Sequence, residues 1–285
     1  MTTLRQLEYL VTVVDTGSFT KAAELLHVTQ PALSHQIRAL ERAAGGPLLE
    51  RLPRTVRPTA TGRAMIPHAR AALADAYRAH CAARQAAGLE VGELQIATLY
   101  SITLGVLPAA LRRWRQTHPG VGIRLFEHRH TDELAEAMSA GQADLAIGPA
   151  PKDWPGELHP LGSEEFVVVV AADDPAAVGD TVSLTNLADR SWVHYSPSHG
   201  LSDVLDLACA QAGFEPRVAI RTEQTAAAPA LAAAGLGPAL VPQNILPASY
   251  DGHVLRPEPP ISRALTAYTR GAADPLAAAF IKILS

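Results

Sequence analysis

Over residues 1–58 apolar positions recur three times at helical spacing before the pattern shortens to strand length. Leu4, Leu7, Val11 and Val14 place one stripe on a first helix. Ala22, Ala23, Leu25 and Leu26 give a second, small-residue face behind Ser18, whose hydroxyl suits an N-cap. Leu33, Ile37, Leu40 and Ala44 recur at intervals of four, three and four and predict a third helix. His27-Val28 reads as the turn between the second and the third. Thr29 caps the third, and Pro31 falls in its first turn, where a missing amide proton costs nothing. Gly45-Gly46 supplies the left-handed residue that ends it. Residues 48–58 read as a two-strand wing with a Pro-containing tip. Thr59 to about Ala87 is alanine-rich and interrupted only by Gly62 and Pro67. As one helix it spans about 40 Å at about 1.5 Å per residue, the length of a spacer or a dimer seam.

From Glu93 onward the period changes. Strand candidates are residues 94–98, 121–126, 144–147, 165–170, 191–195, 218–220, 238–241 and 263–268. Helical stretches fall between them at 104–117, 132–140, 201–211 and 225–234. This alternation predicts an α/β fold with a largely parallel sheet and ligands at strand C-terminal ends. Pro, Gly and Asp at 149–160 and 171–180 mark surface connections.

The polar side of the third helix carries Gln30, Ser34, His35, Arg38 and Arg42. Gln and Arg can each make two hydrogen bonds to a base edge, while Ser18, Ser34 and the helix start at Thr29–Pro31 suit phosphates. Taken alone, this stripe also describes the solvated face of a small helical bundle. The apolar helix before it, the wing after it and the long helix beyond favour a groove-reading unit. Arg51, Arg54 and Arg57 sit in the wing, where they suit the DNA backbone or minor groove.

Charge sharpens the division. The chain of 285 residues is long enough for two domains, and its net charge of −4 argues against a nucleic-acid binder. Residues 1–87, however, hold 11 Lys/Arg against 6 Asp/Glu, a balance of +5, and residues 88–285 hold 13 against 22, a balance of −9. A basic reading head precedes an acidic body. The two cysteines, Cys81 and Cys209, lie far apart and read as reduced thiols. Neither a basic-then-apolar leader nor a bilayer-length apolar run is present in the sequence, so a cytoplasmic location is expected.

At this point the residues resemble a family. Residues 4–63 are similar to the winged helix-turn-helix of LysR-type transcriptional regulators. The resemblance rests on Gly17-Ser18-Phe19 with Ala22-Ala23, Thr29-Gln30-Pro31-Ala32-Leu33-Ser34, Gln36-Ile37, Leu40-Glu41, Gly45, Leu48-Leu49-Glu50-Arg51 and Thr59-Ala60-Thr61-Gly62. His35 departs from the basic residue often found there, and Gly46-Pro47 is unusual before the wing. Leu107-Pro108, His118-Pro119-Gly120-Val121, residues 141–147 (GQADLAI), residues 233–237 (AAGLG) and Val241-Pro242 resemble the effector-binding domain of the same family. That domain shares a two-lobed architecture with periplasmic solute-binding proteins.

The resemblance implies a winged helix-turn-helix over 1–58, a linker helix for dimerisation over 59–88 and an effector-binding domain over 89–285. Lobe I would take 93–162 and 265–285, lobe II would take 163–264, and crossover strands near 165–170 and 263–268 would join them. Candidate effector contacts are Ser101, Ile102, Thr103, His130 and Thr131 from one lobe and Ser196, His199, Gln224 and Thr225 from the other. Hydroxyls and helix starts there favour a carboxylate or another anion, although Ser101, Thr131 and Ser196 also read as simple helix caps. A dimer through the linker is expected because one short recognition helix reads too few bases; the resemblance implies a tetramer as the final assembly, and RNA polymerase is a further partner to expect.

Enzyme readings find little support. The stretch Glu127-His128-Arg129-His130-Thr131-Asp132 holds metal-ligand types, but no second cluster at metal spacing accompanies it. Ser196-Pro197-Ser198-His199 lacks the Gly-x-Ser-x-Gly context of a nucleophile elbow. Gly235-Leu236-Gly237-Pro238 follows a helix and precedes a strand, the reverse of a phosphate loop. A pyridoxal-phosphate enzyme needs a Schiff-base lysine, and the second domain offers only Lys152 and Lys282. No cofactor or metal is therefore expected. The sequence points to a ligand-responsive regulator of a double-stranded DNA operator, with a repressor or architectural protein lacking any effector as the alternative.

Overall fold

The computed structural model describes residues 2–52, 55–86 and 92–285. They divide into two compact units, one over Met1–Gly92 and the other over most of Glu93–Ser285.

The first unit opens with α1 (Leu4–Thr16), which Thr3 and Gln6 close with a reciprocal capping box. Ser18 caps α2 (Phe19–Leu25) through the Lys21 amide, and Thr29 caps α3 (Gln30–Ala44) through the Ala32 amide. The turn between them places His27 at φ 52°, and Gly45 at φ 80° ends α3. The wing is antiparallel, with β1 (Leu49–Arg51) set against β2 (Val56–Pro58). Next, α4 (Ala60–Ala86) runs unbroken through Pro67.

Leu10, Val13, Ala22, Leu33, Leu40 and Leu48 are fully buried in one core. Three expected faces shift, and on α2 the buried residues are Phe19, Ala22 and Ala23 while Leu25 is 65% exposed. Leu4 is 49% exposed, and the buried face of α1 is Leu7, Tyr9, Leu10 and Val13, because α4 packs on α1 as well as α2 and α3. Ala44 is exposed, since α3 overruns the core by its last turn before Gly46 bonds back to Glu41. Arg70 of α4 pairs with Asp15 of α1 and ties the long helix to the reading head. A Cβ on Gly62 would lie 2.1 Å from the Leu48 carbonyl oxygen, so only glycine lets α4 start this close to the wing.

The second unit begins with β3 (Gly92–Leu99), α5 (Tyr100–Gly105), α6 (Leu107–Thr117), β4 (Val121–His128), α7 (Thr131–Ser139) and β5 (Leu145–Gly148). A long strand, β6 (Leu158–Ala171), leads to β7 (Thr181–Val182), β8 (Ser191–Tyr195), α8 (Gly200–Gln211) and β9 (Arg217–Thr222). The chain closes with α9 (Ala227–Ala233), β10 (Ala239–Pro242), β11 (Gly252–Pro257), β12 (Ile261–Tyr268) and α10 (Pro275–Leu284).

One core gathers β3, β5, α6, the end of β12 and α10 around Trp114, Tyr268 and Phe280. A second gathers the far half of β6 with β8, α8, α9 and β10 around Trp192 and Tyr195. Strands β6 and β12 pair antiparallel from Ile261↔Phe166 to Tyr268↔Leu158 and run from one core into the other.

The sheet is mixed and not largely parallel. Pair β3–β5 is parallel, as is β8–β9, which forms a separate two-stranded sheet, whereas β12, β10 and β11 all run antiparallel to β6. The cause is that β6 and β12 both carry the chain between cores, in opposite directions. The helix expected over 104–117 is split, with Leu104–Gly105 ending α5 and α6 starting at Leu107. Pro108 has no amide proton to continue a helix across the junction. Strands β7 and β11 and helix α10 were not anticipated from the pattern, and β6 starts at Leu158, inside the expected 149–160 connection.

Candidate functional site

On α3 the outward stripe forms as the spacing requires. Gln30, Pro31, His35, Arg38 and Arg42 are exposed, as is Arg57 on β2. Gln30, His35, Arg42 and Arg57 have no side-chain partner among the described residues, and Arg38 Nε donates back to the Ser34 carbonyl at 3.2 Å. Ser34 departs from the stripe: at 7% exposure it belongs to the packed side of the helix, one step around from His35. Ser18 and Thr29 act as helix caps. Arg54 and the side chain of Arg51 lie outside the described residues.

A residue the pattern did not single out locks this surface. Glu41 Oε1 accepts from the amides of Leu48 and Leu49 at 3.0 and 3.3 Å, fastening α3 to the first strand of the wing. Gln6 reaches Gln36 at 3.1 Å and fixes the other end.

In the second unit a cavity of about 350 Å³ opens between the two cores. Tyr100, Leu104, Glu127 and Arg129 line one wall, and Glu223, Gln224, Thr225 and Ala226 line the other. Three contacts span the cleft beside it. Gly200 N donates to Arg129 O at 2.8 Å, His130 Nε2 meets Asp203 Oδ2 at 2.8 Å, and Arg129 approaches Glu223 at 3.9 Å.

The candidate contacts separate here. Gln224 and Thr225 line the cavity, and His199 lies directly behind Thr225 at 3.0 Å. His130 turns to Asp203, its Nδ1 accepting from the Asp132 amide at 3.2 Å. Thr131 starts α7, half-buried, and Ser196 works through its backbone, between Thr222 O and His199 N. Ile102 is a correction: it is fully buried in the first core, because α5 turns that face to the sheet. Thr103 bonds back to Leu99 O along its own helix. Ser101 is 2% exposed and is not among the residues that line this cavity. Its oxygen accepts from Arg263 Nη2 at 2.7 Å, which turns it toward a buried cluster. There Arg263 Nε donates to Glu164 at 2.7 Å, and Asn244 donates to the other Glu164 oxygen at 3.0 Å.

Alternation along the end of β4 explains another miss. Glu127 and Arg129 line the cavity, while His128 is half-buried with an unpaired Nε2 and its pKa is lowered by burial. The two histidines weighed as metal ligands have different surroundings, and no group of three metal-ligand side chains forms among the described residues.

Residues 4–63 match the family described as bacterial regulatory helix-turn-helix protein, lysR family, and residues 87–285 match the LysR substrate binding domain. The chain belongs to the LysR family of transcriptional regulators. Among its relatives, the HTH-type transcriptional regulator IlvR of Caulobacter vibrioides is 32% identical, over 99% of this chain and 97% of its own. BenM of Acinetobacter baylyi is 33% identical over 85% of this chain and 80% of its own. Full-length CbnR in complex with its target DNA superposes with a TM-score of 0.68 at 28% identity, covering 99% of this chain and 98% of that one.

As a LysR-type regulator, the chain is a DNA-binding sensor and not an enzyme, and its second unit is the effector-binding domain. Behind the cleft wall of this LysR domain His199 is strongly perturbed. Burial first, then Arg263, Arg129 and His130, push its pKa down to about 4. In the unfolded chain it returns to about 6.5. Between those values the unfolded state binds the proton and the folded state does not, so stability falls as pH drops from about 6.5 to 4. Thermal unfolding of the wild type and His199→Gln over that range checks this. The variant should lose less, and parallel curves would contradict the shift.

Proposed function

We propose that the chain works as a cytoplasmic homo-oligomer that reads an operator with α3 and the wing and responds to a small effector, a carboxylate in the first place, held in the cleft. The observation that carries the reading is the exposed stripe of Gln30, His35 and Arg42, unpartnered among the described residues, with Arg38, beside the wing Arg57 on a basic unit. One recognition helix reads too few base pairs for specificity in a genome, so two-fold pairing is needed. The length and alanine content of α4 suit it as the seam of a dimer, and a tetramer built from such dimers is the assembly we favour. CbnR, a relative, is described in complex with target DNA, which supports the operator assignment. Contact with RNA polymerase belongs to the same proposal.

The test is a fluorescence-anisotropy titration of the full chain on duplexes from its own upstream region, over a range of salt. Sequence-preferring binding that weakens with salt is expected, and no preference in dilute salt would refute the reading. Arg57→Ala should weaken all duplexes alike and reduce the slope of log K against log salt by about 1 for each half-site, about 2 for a dimer. A selective loss at one base pair would instead place Arg57 on a base edge. Stabilisation of the full chain by a metabolite in a thermal-shift screen supports the effector. Silence across a broad carboxylate set favours the effector-free repressor.

A further inference from the structure

Thr225 lines the cleft cavity yet is only 3% exposed, and its hydroxyl meets the His199 ring at 3.0 Å. The other ring nitrogen fixes the direction of that bond. The Leu201 amide can only donate, and it donates to His199 Nδ1 at 3.2 Å, so Nδ1 carries no proton. A neutral ring then keeps its proton on Nε2 and gives it to Thr225 Oγ1. With its pKa at about 4, the ring is neutral at physiological pH. Tyr195 holds it in place by stacking, with centroids 5.0 Å apart.

Thr225 thus accepts from inside the protein, and its own O–H is left over. Among the described residues nothing accepts that hydrogen. A donor buried this deeply is costly to leave unmet, so the cavity asks for an acceptor from outside. On the facing wall stands Arg129, the cation of a lining that also holds Glu127 and Glu223; its guanidinium is 3.9 Å from Glu223 and can turn to the same group.

We propose that His199 sets the polarity of the cleft: by donating to Thr225 Oγ1 it makes the Thr225 hydroxyl a donor into the cavity, which selects effectors presenting a carboxylate oxygen there. Thr225 touches the effector, and His199 is a positioning residue behind it. The inference rests on the reading that the cleft holds the effector.

Two measurements on the full chain test it. Ring ¹⁵N shifts of His199 report the tautomer without any ligand, and the Nε2–H form is expected. Thermal shift and titration calorimetry then use a panel of short-chain and aromatic carboxylates, each beside its primary amide. Carboxylates should stabilise the wild type more than their amides. Thr225→Ser and His199→Gln should keep that response, while Thr225→Val and His199→Phe should weaken binding about tenfold, the loss of one hydrogen bond to a charged group. A proton on Nδ1 overturns the inference whatever binds. A response that survives Thr225→Val overturns it too, but leaves the cleft a binding site, as does an equal response to amides. Silence toward both compound sets overturns the inference and the cleft reading together.

Discussion

Glu164→Ala is expected to lower the unfolding free energy by about 3–5 kcal/mol, the cost of breaking a buried pair from one side. The Glu164 side chain is fully buried and Arg263 is 13% exposed, with the closest approach at 2.6 Å. The guanidinium also lies over the Phe166 ring, 5.5 Å from its centroid. The substitution leaves Arg263 uncompensated and Asn244 without its acceptor. Replacing both charges, as in Glu164→Leu with Arg263→Met, should recover much of the loss, because desolvation of the pair offsets much of its attraction. Urea unfolding monitored by circular dichroism gives both values. A single-variant loss below about 1 kcal/mol, the range of a surface pair, would show that the cluster is hydrated in solution.

Arg38→Ala is expected to remove most operator selectivity. A bidentate base contact is worth about 1–3 kcal/mol, and a dimer loses it in each half-site, about 2–6 kcal/mol in all. In the free protein Arg38 Nε rests on the Ser34 carbonyl, a weak contact that DNA can replace. Anisotropy titrations on the upstream duplex and on a scrambled one of equal length separate the effects. Affinity for the first should fall toward that for the second, and the second should change little. Unchanged binding to the upstream duplex would mean that α3 does not read bases through Arg38.

The DNA-binding unit was largely legible because its signals are local. Caps at Ser18 and Thr29, the left-handed Gly45 and the four-three spacing of Leu33, Ile37 and Leu40 are each decided within one or two turns. What failed there depended on a distant partner: α4 lies on α1 and rotates its buried face toward Tyr9 and Val13. The effector unit was harder for the same reason. Strand β11 is buried only in part, at Leu255 and Pro257, and its identity comes from pairing with β6 across some eighty intervening positions of chain. Around the cleft, neighbours such as His199 and Thr225 were visible as residue types, but Ser101 was expected to face a ligand. Its turn toward Arg263 depends on a guanidinium 162 positions away. Arg129 was passed over because the histidines on either side of it drew attention to metal chemistry.

The Glu41 carboxylate makes the reading helix and the wing one stiff jaw, since two wing amides terminate on an α3 side chain. The bite angle is therefore set before any duplex arrives, and little freedom is surrendered on docking. A signal arriving from elsewhere in the assembly cannot retune this jaw residue by residue. On the proposed dimeric reading such a signal would carry each jaw as a whole, altering the distance or tilt between two of them and with it the operator spacing and curvature they fit.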